Sequence, residues 1–326
     1  MNLFPVLIAA IGLFVLPAAN AQNYPSKPVR ILTGSPNGSP GDTMTRGVAQ
    51  ALGKSSGQVF LIENRPGADG MIAAEACARS APDGYTLCML DTYNLSLNPV
   101  IRTKMPYDTA RELTPVIHLG FGAGAVLVHP SVPAKSLAEL FELAKAKPES
   151  ITWGANAGIA SSSYLYIEWL KKAKGISFLN VPYKVPLQAW QALLAGEIQV
   201  VNSSVVTAVS QVKAGKARAL AVSTSARSPY LPDVPTFKES GMDVAIVTWF
   251  GIAAPSATPK AIIQRLNADI VREVLDNAPT REKLLAATGL QVLPPTAGSP
   301  EAFAEFLKAE HEMFSNLVKV AGVKAE

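Results

Sequence analysis

Three histidines and two cysteines are the side chains of this 326-residue chain best suited to proton transfer, nucleophilic attack or metal binding. The histidines, His118, His129 and His311, stand far apart, and His311 falls within a helical pattern. There is no H-E-x-x-H, no G-x-S-x-G and no Cys–His pairing, so the spacings needed for metal-assisted hydrolysis or acyl transfer are missing. Cys77 and Cys88 have no third or fourth ligand nearby, which argues against a zinc site. Each histidine reads as a surface or packing residue. No catalytic constellation, metal site or cofactor motif is expected, and hence no enzyme.

Another chemistry is better served. Gly34-Ser35-Pro36-Asn37-Gly38-Ser39-Pro40-Gly41-Asp42 lies between an apolar run and a helical pattern. Glycines there let backbone approach a ligand, and the first N–H groups of a helix carry partial positive charge that holds a carboxylate or phosphate. Gly38, Ser39, Gly41 and Asp42 are the candidate contacts; the alternative is a plain capped connection with Asp42 as N-cap. No Gly-Lys-Ser/Thr follows, so this is not a phosphate-cradling P-loop. The second candidate loop runs from Ala155 to Ser163 and is small and hydroxyl-rich, offering Asn156, Gly158, Ala160, Ser161 and Ser162. Two such loops facing one another would close on an anion. Gly120-Phe121-Gly122-Ala123-Gly124 has dinucleotide-like glycines but leads into a strand rather than a helix, and is discarded.

The elements that must position these loops alternate in type. Strands are expected at 29–32, 59–62 and 85–90, with helices from Asp42 and Met71 between them, an order that predicts a parallel α/β sheet. The theme repeats with strands at 125–128, 151–154, 179–181, 198–201 and 219–222. Ser136 has capping-box spacing to Glu139, and a helix over 186–195 stops at Gly196. After a strand over 249–254, Thr258-Pro259 and Ser299-Pro300 open two long helices. Two lobes without a flexible linker are predicted, residues 22–124 with 247–326 and residues 125–246, joined by chain crossings at a hinge. Trp249 and Phe250 read as core or as ligand contacts at that hinge.

Composition bounds the partners. The chain is 48% hydrophobic and 17% charged, with a net charge of +4. Its basic residues are scattered without aromatic interleaving, which speaks against nucleic acid, whereas a mild positive bias suits an anion. An apolar run from Leu3 to Leu16 precedes Ala19-Asn20-Ala21, the pattern of a leader cleaved after Ala21. The run is shorter than the ~20 residues of a spanning helix. In an oxidising compartment Cys77 and Cys88 form either a disulfide or two buried thiols.

Motifs along nearly the whole mature chain resemble the Bug family of solute receptors. They include Tyr24 to Arg30, Glu63-Asn64-Arg65-Pro66-Gly67, Ala81 to Leu87, Met105-Pro106-Tyr107-Asp108, Val181-Pro182-Tyr183-Lys184 and Ser228 to Thr236. The resemblance implies a two-lobed periplasmic binding fold of type II, a monomer that holds a small organic carboxylate between its lobes. It also implies two integral membrane subunits of a tripartite tricarboxylate transporter as partners; a sensor of the same fold, presenting its ligand state to a membrane kinase, is the alternative.

Departures from the family pattern bear on the ligand. Gly34 and Ser35 replace Pro-Phe in the family's first loop and Ser39 replaces a glycine, while Pro36, Gly38 and Asp42 are kept. Loss of the aromatic predicts a more polar or differently shaped ligand. Ser203-Ser204 stands where many members carry Asp, which argues against an amine. Asp91-Thr92-Tyr93-Asn94 replaces a Gly/Ser/Thr stretch, making Asp91, Thr92 and Asn94 candidate contacts to an amine or hydroxyl.

Overall fold

The buried alternation of Val29–Thr33 and the capped amphipathic run that follows it open a βαβ unit that recurs through the chain. The structure is a computed structural model that describes residues 24–156, 162–183, 186–242, 247–292 and 298–324. The leader predicted over residues 1–21 lies outside the described residues.

The chain begins with β1 (Val29–Thr33), α1 (Pro40–Ser56), β2 (Phe60–Asn64), α2 (Met71–Ala78) and β3 (Thr86–Asp91). A π-type turn (Tyr93–Leu97), α3 (Asn98–Ile101) and α4 (Thr109–Glu112) lead to β4 (Leu113–Gly122). The second lobe follows as β5 (Gly124–Val128), α5 (Leu137–Ala146), β6 (Thr152–Asn156), α6 (Ser162–Lys174), β7 (Leu179–Tyr183), α7 (Pro186–Ala195), β8 (Val200–Ser204), α8 (Val205–Lys213) and β9 (Arg218–Val222). The chain then returns through β10 (Trp249–Pro255), α9 (Lys260–Ile270), a second π-type turn (Val271–Leu275), α10 (Ala278–Thr288), β11 (Leu290–Val292) and α11 (Pro300–Ala321).

Two sheets result, ordered β11-β4-β10-β3-β1-β2 and β7-β6-β8-β5-β9. Neither is purely parallel, which corrects the expectation. Strands joined by a crossover helix do pair in parallel: β1 with β2 and β3, and β6 with β7 and β8. The strands at the passages between sheets run against their neighbours: β10 against β3 and β4, and β5 against β8 and β9. A strand arriving from the other lobe enters from the opposite end, so no helix sets its direction.

The passages are themselves tied together. The Gly122 N–H donates to the Thr248 carbonyl at 2.6 Å, and the Thr92 hydroxyl donates to Val247 O while accepting from Trp249 N at 2.9 Å. Each sheet buries apolar clusters under its helices. A further cluster joins the lobes, where Leu165 of α6 packs with Leu97, Ile101, Phe314 and Leu317.

Helix starts follow local chemistry. Ser136 caps α5 as predicted, accepting from Glu139 N, and Ser299 caps α11 by accepting from Ala302 N. Thr258 does not cap α9: Pro259 occupies the cap position and the Thr258 hydroxyl is buried without a partner among the described residues. Cys77 and Cys88 are joined in a disulfide, Cα to Cα 6.0 Å, which ties α2 to the underside of β3.

Candidate functional site

A cleft of about 520 Å³ separates the two sheets. Its floor is the passage Gly122-Ala123-Gly124 with Thr248, and the lobes form its walls. Four helices begin there. The first turns of α1 (Ser39, Gly41), α6 (Ser162, Ser163), α7 (Leu187, Ala189) and α8 (Ser204, Thr207) all contribute to the lining. Each helix start carries roughly half a positive charge.

The first wall is set by the loop before α1. Ser39 rather than Asp42 is the N-cap: its hydroxyl accepts from the Asp42 N–H at 3.4 Å, and Pro40 follows inside the first turn. A Cβ at Gly41 would sit 2.1 Å from Ser35 Oγ and 2.7 Å from Phe250 Cε1, so glycine lets both side chains pack against the helix start. Phe250 thus supplies, from β10, an aromatic face beside the loop that lost its own. Asp42 turns away from the cleft and is 2% exposed. Its carboxylate accepts from the Gly38 N–H (2.9 Å), Arg46 Nε (2.9 Å) and Asn64 Nδ2 (2.8 Å). Burial opposes its charge, but these bonds and the Arg46 cation outweigh burial and hold the carboxyl below its usual range.

Asp91 ends β3 at the same wall. Its Oδ1 accepts from the N–H groups of Tyr93 (3.0 Å) and Asn94 (3.3 Å), while the Asn94 side chain accepts from Asp91 N at 2.7 Å. Burial pushes the Asp91 carboxyl up to about 6, against the pull of those two bonds. The Tyr93 hydroxyl meets Ser162 Oγ at 3.1 Å, a contact between the lobes.

The opposite wall is built on β8 and the starts of three helices. Ser204 caps α8, accepting from Thr207 N at 3.1 Å. Ser203 and Asn202 precede it on the wall, with Leu187, Trp190, Val201 and Phe237 as an apolar flank. No lysine, arginine or histidine lines the cleft among the described residues, and Asp91 is its one carboxyl. Among the described residues an anion there would meet helix starts and hydroxyls, not an ion pair.

The chain as a whole is similar to known proteins. The family model described as the tripartite tricarboxylate transporter family receptor matches residues 44–322. The chain belongs to that receptor family. BugT of Bordetella pertussis is 30% identical over 329 residues, covering 98% of this chain and 98% of BugT. A structure of an R. palustris protein with adipate is 29% identical with a TM-score of 0.78, covering 92% of this chain and 98% of that one. MatC from Rhodopseudomonas palustris, solved with bound malate, is 29% identical with a TM-score of 0.74, covering 90% of this chain and all 100% of MatC. The chain is therefore a two-lobed solute-binding receptor and not an enzyme.

The cleft of this receptor takes in some of the residues singled out by sequence. Ser39, Gly41, Asp91, Ser162 and Ser203 line it. Gly38, Asp42, Thr92 and Asn94 do not: they hold the loops and the passage that present the wall. Gly158, Ala160 and Ser161 lie outside the described residues, and of Asn156 only its place at the end of β6 is described. Sequence reasoning missed Ser204 and Thr207, although a hydroxyl run directly after a strand was the signal already used twice. Leu187 and Trp190 carried no signal, since an amphipathic helix reads the same whether its apolar face meets a core or a cleft.

No histidine lines the cleft among the described residues. His118 is 3% exposed, packed against both Phe303 and Phe306 with its Nε2 unpartnered among the described residues, and burial lowers it to about 4. Trp249 belongs to the same aromatic cluster and donates its Nε1–H to Glu310 at 2.7 Å. It is core, whereas its neighbour Phe250 reaches the cleft.

Proposed function

We propose that this receptor closes its lobes, residues 22–124 with 247–326 and residues 125–246, around a small organic carboxylate and delivers it to the membrane subunits of a tripartite tricarboxylate transporter. Export through a leader cleaved after Ala21 belongs to the same reading. The observation that carries it is the convergence of four helix starts on a cleft whose lining includes no cation among the described residues. Four starts at about 1 kcal/mol each favour an anion over a neutral isostere by about 4 kcal/mol, some three decades in affinity. The adipate and malate bound by the two R. palustris relatives support the carboxylate class. In this reading Ser39, Gly41, Ser162 and Ser203 touch the anion.

A thermal-shift screen of the purified protein against small carboxylic acids and their primary amides tests the ligand class. A bound acid at about 100 times its Kd adds roughly 2.7 kcal/mol and raises the melt by several degrees, while its amide does not. Amides that shift the melt as much as their acids, or a panel in which no acid shifts it, would overturn the reading. Uptake of the identified acid that persists when the membrane subunits are deleted would overturn the partner.

A further inference from the structure

Asp91 is out of place in a cleft built for an anion. Helix starts and hydroxyls surround it, and no cation on the wall pairs with it among the described residues. The nearby acid Asp69 has its own partner, Arg102, at 2.6 Å. A bare carboxylate on the wall would repel an anionic ligand, yet the fold fixes Asp91 with care. Two backbone N–H groups, of Tyr93 and Asn94, hold Oδ1, and the Asn94 side chain fixes the Asp91 backbone in return. The second oxygen, Oδ2, accepts no hydrogen bond among the described residues. An oriented acceptor on a partly buried wall calls for a donor, and among the described residues the wall supplies none that is charged.

We propose that Asp91 is the specificity residue of this cleft: Oδ2 accepts a hydrogen bond from an ammonium or hydroxyl group that the solute carries in addition to its carboxylate. Leu187, Trp190, Val201, Phe237 and Phe250 complete the specification by enclosing an apolar body. The preferred solute is then an amino or hydroxy acid with an aliphatic or aromatic side chain. Loss of the first loop's aromatic does not make the cleft wholly polar, because Phe250 stands against Gly41 in its neighbourhood. This inference rests on the carboxylate reading above and narrows it.

Two matched trios test it by calorimetric titration at pH 7.5: 3-phenylpropionate, phenyllactate and phenylalanine, and 4-methylpentanoate, its 2-hydroxy derivative and leucine. Within at least one trio a donor-bearing member is expected to bind about 10- to 100-fold more tightly than its plain parent, the usual effect of one hydrogen bond to a charged group. The ammonium and hydroxyl members distinguish which donor is read. Asp91→Asn keeps an acceptor oxygen for Tyr93 and Asn94 and should erase most of that ratio, with the ligand-free melt little changed. The wild-type ratios stand as a test even if this variant folds poorly. Plain parents that bind as tightly as their derivatives overturn the proposal. So does plain-acid binding that strengthens about tenfold per pH unit below 7, since Asp91 would then act as a protonated donor to the anion. If none of the six binds while other acids shift the melt, this solute class is wrong; if no acid of any kind binds, the carboxylate reading itself fails.

Discussion

The two lobes face the cleft with the same devices, helix starts and hydroxyls, but they are braced differently. The two least exposed carboxylates among the described residues lie in the first lobe: Asp42 bonded to Arg46 and Asn64, and Asp269 paired with Arg265 and Arg272. That lobe also carries the disulfide and the Trp249–Glu310 bond. The buried polar side chains of the second lobe are hydroxyls, those of Ser177, Thr224, Ser228 and Thr236. The first lobe is thus held by buried groups that respond to pH and reductant, whereas the shifted acids of the second, Glu149 and Glu239, sit in exposed ion pairs. Perturbations of charge or redox state should act on the first lobe, and hydroxyl deletions should act on affinity.

The largest effect is expected from the disulfide. Replacing Cys77 and Cys88 by alanine releases a crosslink with a sequence separation of 11, which should cost about 3 kcal/mol by loop entropy. Thermal melts of the protein with and without reductant check this, and an unchanged melt would remove the crosslink from the bracing of the first lobe.

Asp42→Ala comes next. It leaves the Gly38 N–H, Asn64 and Arg46 without their shared acceptor and should cost about 2–3 kcal/mol. Because the folded-state pKa of Asp42 is lowered, its contribution is present above the unfolded value of about 4 and is lost as pH falls through the folded one. Denaturant titrations at pH 7 and pH 3 should therefore show the gap between wild type and variant narrowing in acid.

Glu310 works in the opposite sense. Burial pushes its carboxyl up to about 7, despite the bond from Trp249. An acid with a raised folded pKa stabilises most fully below its unfolded value of about 4.3 and loses that contribution as pH rises through 7. Glu310→Gln keeps an acceptor for Trp249 and should be more stable than wild type at pH 8, by about 1–2 kcal/mol, with the advantage gone at pH 4. A wild type that gains stability from pH 5 to 8 relative to this variant would contradict the burial argument.

The smallest effect sharpens the boundary between the walls. Tyr93→Phe and Ser162→Ala each delete the hydroxyl contact between lobes and should each cost about 0.5–1 kcal/mol. The double variant should cost little more than either single one, because both remove the same bond. Additive costs in a double-mutant cycle would show that the two hydroxyls act separately.

Much of this organisation was legible from residue types. The strand–loop–helix order and the caps at Ser136 and Ser299 follow from local chemistry, because turns, caps and periodicity are settled within a few residues. Asp42 shows where that reading ends. Its type and spacing suit a cap or a ligand contact equally, and only Asn64, brought from β2, decides that it braces the loop instead. Phe250 and Trp249 are neighbours with opposite fates because alternate residues of β10 face opposite sides of the sheet.

Sequence alone determined that the chain alternates strands and helices, bears two hydroxyl-rich loops at strand ends, lacks catalytic spacings and matches a receptor family in ordered motifs. Tertiary structure decided what none of those segments contains. It made both sheets mixed, by sending β5 into the second and returning β10 to the first, and joined the two cysteines. It also brought the starts of α1, α6, α7 and α8 to one cleft with Asp91 as its single carboxyl among the described residues. The physical reason is one of range: a helix dipole and a serine hydroxyl are local properties, but the sum of their fields depends on where long-range strand pairing sets them down.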